Sequence, residues 1–98
     1  MKSKTETYKK IVVPIILKHL PHAKIILYGS RARGDDRPGS DIDIALDVGK
    51  EVNSKKLNAI IMDLEESSLP IKFDLIDFYA ISQEMKSEVL KDGVVWKK

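Results

Sequence analysis

A chain of 98 residues is long enough for one hydrophobic core but too short for a catalytic domain plus a separate substrate domain. One domain spanning residues 1–98 is therefore expected, and whatever it acts on must come from outside or lie in an open groove. Hydrophobic residues at 43% and charged residues at 33% exclude a disordered tail, and the lack of cysteine excludes a disulfide framework or a thiolate metal site. A net charge of +2 is too small to argue for direct binding of nucleic acid. No apolar run approaches the roughly 20 residues of a membrane span, and the basic start lacks the apolar segment of a secretion signal. A cytoplasmic protein with no membrane partner is expected.

Tyr8, Ile11, Val12, Ile15 and Ile16 recur at helical spacing with lysines between them, which predicts an amphipathic helix running to about Leu20. Pro14 falls on its polar side with Lys10 and Lys18, where a kink or a restart is expected, and Pro21 closes the element. Lysines 2, 4, 9, 10, 18 and 24 face Glu6 alone in this region. They read first as a solvated helix face and second as a docking surface for an acidic partner or for phosphates.

Lys24 to Tyr28 is a short apolar run ending at Gly29, hence a buried strand feeding a turn. Residues 35–40 are loop by composition, with Asp35, Asp36 and Arg37 as solvated charges. From Asp41 to Val48 acid and apolar residues alternate, setting Asp41, Asp43 and Ala45 on one face and Ile42, Ile44 and Leu46 on the other. Leu57, Ile60, Ile61 and Leu64 mark a second helix capped by Asn53 or Ser54. Ile71 to Phe78 reads as a third strand, and Ser82 caps a last helix carrying Met85 and Val89 that stops at Gly93. Val94-Val95-Trp96 adds a short edge strand, with Trp96 as a lid on the core.

The acidic strand face carries the chemistry. Same-face neighbours on a strand lie roughly 6.5 to 7 Å apart, so Asp41 and Asp43 can each reach one of two cations separated by about 3.5 to 4 Å. Asp74 and Asp77 could supply a third carboxylate, but three residues apart they point to opposite faces. Asp74, at mid-strand, is preferred, and Asp77 is expected to be a solvated or turn residue. Three carboxylates about 6 Å apart repel by roughly 2 to 3 kcal/mol per pair at an effective dielectric near 20. Divalent ions relieve that repulsion best, and an all-oxygen set suits magnesium or manganese. Gly29 lets the backbone approach a ligand closely, amides at the start of the next helical turn favour an anion, and Ser30 adds a hydroxyl. Arg31 and Arg33 read either as contacts to a triphosphate or partner or as ion pairs holding the turn, the structural role being preferred for Arg33. His19 and His22 lack a ligand constellation.

Gly29-Ser30-Arg31-Ala32-Arg33-Gly34, followed by Ser40-Asp41-Ile42-Asp43, resembles the signature of the minimal nucleotidyltransferases in the DNA polymerase beta superfamily. The resemblance runs from the strand before Gly29 through Asp74 to Gly93-Val94-Val95. It implies an α/β architecture, a small mixed β-sheet flanked by helices in the polymerase beta-like nucleotidyltransferase fold, with two Mg2+ ions and ATP as donor. Gly29 and Ser30, with Arg31 and Arg33 beside them, would hold phosphate. Asp41 and Asp43 would bind both metals, and Asp74 would be the third acid and ligand, orienting or deprotonating the attacking hydroxyl. Short members of the family are similar to antitoxins paired with a HEPN-domain toxin whose tyrosine they adenylylate, which implies a HEPN toxin as partner. The alternative is a non-catalytic antitoxin that neutralises its partner by covering it. Transfer to a small molecule would need a further substrate domain.

Overall fold

The structure is a computed structural model that describes residues 4–34, 39, 41–67 and 69–98. Asp35, Asp36, Arg37, Pro38 and Ser40, with most of the expected loop, lie outside the described residues.

The first helix, α1 (Lys4–His19), buries Val12 and Ile16 completely, with Tyr8 and Ile15 half-buried beside them. Ile11, expected on the same stripe, lies at its margin and is 38% exposed. The helix runs through Pro14 without restarting. Pro14 is exposed, so water can bond the carbonyl that its missing N–H leaves unpaired.

Strand β1 (Lys24–Tyr28) is buried from Ile25 to Tyr28 because both of its faces and both of its edges are covered. The chain then makes one short helical turn, α2 (Ser30–Arg33), and returns as β2 (Ile42–Asp47), antiparallel to β1. Helix α3 (Ser54–Glu66) is capped by Asn53, whose Oδ1 accepts from the Lys55 amide at 2.8 Å, and it buries Ile60 and Leu64. It carries the chain over the sheet, so β3 (Phe73–Asp77) pairs with β2 in parallel. A 3-10 turn at Phe78–Ala80 leads to α4 (Gln83–Asp92), capped by Ser82 Oγ accepting from the Met85 amide at 3.1 Å.

Gly93 ends α4 in extended rather than left-handed backbone. Its reason for being glycine is closeness, since a Cβ there would run into the Val89 carbonyl and the Ile26 side chain. Strand β4 (Val94–Lys97) then pairs with β1, and the strand order is β3-β2-β1-β4. The register steps between Ile25 and Ile26, leaving Trp96 opposite no partner and turned into the core.

The sheet separates two cores. On one face Ile25, Leu27, Ile42, Ile44, Leu46, Leu75 and Trp96 pack under α1 and α3. On the other, Ile26, Tyr28 and Ala45 pack with Val89 of α4. Among the described residues no helix is long and apolar enough to cross a membrane.

Candidate active site

Strand register assembles the site. Tyr28, the last residue of β1, pairs with Asp43 of β2, and Asp43 pairs with Asp74 of β3. Paired residues share a face, so the three stand in one row across three strands spaced about 4.8 Å apart. Asp41, two residues before Asp43 and exposed, extends the row toward the rim. The next row inward, Ile26, Ala45 and Ile76, is apolar and seals the floor. Asp74 is exposed and stands one residue inside its strand rather than at mid-strand.

Gly29 presses on this row. Its backbone has φ +78° and ψ −158°, a combination essentially reserved for glycine, and an added Cβ would strike the Asp43 carboxylate. The close approach expected of Gly29 is thus made first to an acid of the chain itself. Its carbonyl accepts from the amides of Ala32 and Arg33, which winds Ser30–Arg33 into the short turn.

The acids feel one another. Burial first, then the charges of Asp74 and Asp41, raise the Asp43 carboxyl above its ordinary range, and the positive charge of Arg33 offsets part of that. Below them the Tyr28 hydroxyl is held well above its usual range by burial, then by Asp74 and Asp43. Its oxygen is buried and has no hydrogen-bond partner among the described residues.

This donor set fits a hard divalent ion. It consists of carboxylate oxygens whose repulsion a cation would relieve. Among the described residues no three acids, histidines or cysteines gather tightly enough to enclose an ion. Magnesium keeps several waters and takes one or two carboxylates together with substrate phosphates, so an open row of acids suits it.

The two arginines are tied to the frame. Arg31 Nη1 donates to Thr5 Oγ1 at 3.0 Å, with its guanidinium 5.7 Å from the centre of the Tyr8 ring. Arg33 Nη1 meets Asp92 Oδ2 at 3.4 Å, linking α2 to the end of α4. Asp77 departs from expectation. It lies on the opposite face and is buried, not solvated, with Oδ2 accepting from the Val52 amide at 2.6 Å and Oδ1 from the Tyr79 amide at 3.0 Å. Its position as the cap of the 3-10 turn does agree with a turn role. His19 is engaged structurally, its Nε2 donating to Asp63 Oδ2 at 2.6 Å between α1 and α3. Tyr28 joins the row without belonging to any sequence motif named above; its one signal in the sequence is a polar tip closing the run Ile-Ile-Leu-Tyr just before Gly29.

A family profile described as polymerase beta, nucleotidyltransferase matches residues 10–97. The chain belongs to these polymerase beta-like nucleotidyltransferases. It is an enzyme of nucleotidyl transfer. A Methanocaldococcus jannaschii protein, named as a candidate protein adenylyltransferase, is 32% identical over 87 residues, spanning 88% of this chain and 90% of that protein. Among solved structures, a chain of a toxin-antitoxin crystallised with AMP-PNP superposes with a TM-score of 0.77 at 24% identity, over 90% of this chain and 71% of that one. A chain from the complex of tri-AMPylated Shewanella oneidensis HEPN toxin with MNT antitoxin gives 0.72 at 21% identity, over 93% and 70%. At these identities the two solved structures speak to the fold.

Proposed function

We propose that the protein is a magnesium-dependent adenylyltransferase that moves AMP from ATP to a tyrosine hydroxyl of a HEPN-domain toxin, and so acts as its antitoxin in the cytoplasm. The observation that carries this reading is the pairing of Asp43 with Asp74 beside a glycine pressed against Asp43. The names of the relatives above support the acceptor class and the partner, as the family resemblance does.

In this reading Asp41 and Asp43 would hold two magnesium ions, and Asp74 would complete the set. Magnesium bound there would supply positive charge to offset the negative charge of the phosphate oxygens. Gly29 and Ser30 receive the triphosphate, with Arg31 and Arg33 bracing the turn that presents them. The partner's tyrosine oxygen attacks the α-phosphorus as its proton passes to Asp74, the new P–O bond forms, and the bond to pyrophosphate breaks.

The test is intact-mass analysis of a HEPN partner incubated with the protein, magnesium and ATP labelled at the α-phosphate. One or more added AMP groups are expected with the wild type, and none with Asp41→Asn or Asp43→Asn or with EDTA present. Transfer that persists in both variants overturns the proposal. A tight complex that forms equally with every variant and carries no label establishes neutralisation by covering instead.

A further inference from the structure

The Tyr28 hydroxyl has no place in that scheme, yet its surroundings give it one. The ring packs among Ile26, Ala45 and Val89, where phenylalanine would fill the same space without burying an unpaired polar atom. Tyrosine here carries a donor in need of an acceptor, and the register sets Asp43 and Asp74 on its row as acceptors. Asp43 stands directly beside Tyr28 as its partner on the neighbouring strand. Asp74 stands one strand farther, about 9.6 Å away between Cα atoms at two strand spacings, which is where the far end of a tyrosine leaning across Asp43 would meet a carboxylate. Asp74 is exposed and has room to turn.

We propose that Tyr28 is a positioning residue for Asp74: its hydroxyl donates a hydrogen bond to the Asp74 carboxylate and fixes the orientation in which that acid meets the attacking hydroxyl. The inference rests on the reading of Asp74 as the third acid. No bond to phosphorus involves Tyr28, and no proton leaves it. Its part is to select one rotamer of Asp74 and to balance a charge that would otherwise repel Asp43. Outer hydrogen bonds to metal-site carboxylates typically carry about ten- to a hundredfold in activity.

The test uses protein with 13C at the tyrosine Cζ, whose resonance reports hydrogen bonding of the ring oxygen. The chain holds three tyrosines, and Tyr28→Phe assigns the signal. On adding magnesium and α,β-methylene-ATP, the Tyr28 resonance is expected to shift in the wild type and to stay in place in Asp74→Ala. In the transfer assay Tyr28→Phe is expected to lower kcat about tenfold or more, with KM for ATP within about twofold and a melting temperature no lower than wild type. The same shift in Asp74→Ala as in wild type, or wild-type kcat in Tyr28→Phe, overturns the inference. The two failures are separable. If Asp43→Asn is inactive while Tyr28→Phe is fully active, this inference alone falls. If Asp43→Asn transfers like the wild type, the functional reading falls with it.

Discussion

Gly29 and Asp43 are closely coupled in the cleft, because a side chain on Gly29 would run into the Asp43 carboxylate. Gly29→Ala therefore does two things at once. It forces alanine into a glycine-only conformation, at about 1 to 3 kcal/mol, and it pushes the Asp43 carboxylate out of its row. The expected outcome is a melting temperature lower by several degrees, about 4 to 8 °C per kcal/mol for a domain of this size, and transfer at background even where the protein is fully folded. Retained transfer would show that Asp43 has slack in its position. Asp43 itself behaves in the opposite sense. Its proton affinity is raised in the folded state by burial and by Asp74 and Asp41, so the folded protein binds a proton more readily than the unfolded one, and stability grows as pH falls through the folded value. Asp43→Asn is thus expected to be inactive yet to melt at or above wild type at pH 7, the difference closing below about pH 4 where both side chains are neutral. Thermal melts across that range check it.

At the scale of elements, the alternation from Asp41 to Leu46 was the most legible part of the chain, since a period of two in a strand leaves no freedom about which residues share a face. The same rule separated Asp74 from Asp77. It could not say that Asp77 would be buried, because that depends on the loop at Val52 folding back to offer its amide, a contact 25 residues away in sequence. Nor could spacing show that His19 would find Asp63, 44 residues on, when α1 and α3 came to lie side by side. That clamp has a defined pH signature. The hydrogen bond from His19, then the charge of Lys18, hold the Asp63 carboxyl below its usual range. A depressed acid contributes stability above its unfolded value, about 3.9, and loses that contribution as pH falls through the folded value. Asp63→Asn is expected to lower the melting temperature at pH 7, by an amount that shrinks below about pH 4 and vanishes under the folded value. An equal deficit at pH 7 and pH 2.5 would mean that the ion pair adds nothing beyond packing.

Across the whole molecule, the order β3-β2-β1-β4 places the acids on two adjacent strands with Tyr28 on a third, and the last strand on the far edge, with two cores on opposite faces. The kinds of element were readable from periodicity and caps, but pairing order and register arise from long-range packing that no local window contains. Trp96 tests whether the two faces are energetically separate. It is buried on the face of α1 and α3, with the acidic row on the other. Trp96→Ala should cost about 3 to 5 kcal/mol, a large part of the roughly 5 to 15 kcal/mol available to a domain. Urea unfolding should therefore show a much lower midpoint. Because the sheet lies between the indole and the cleft, kcat measured at a temperature where the variant remains folded is expected within about twofold of wild type. A kcat that fell in step with stability would mean that packing under α1 sets the register of Tyr28, Asp43 and Asp74, and that the helix face is part of the catalytic apparatus rather than its support.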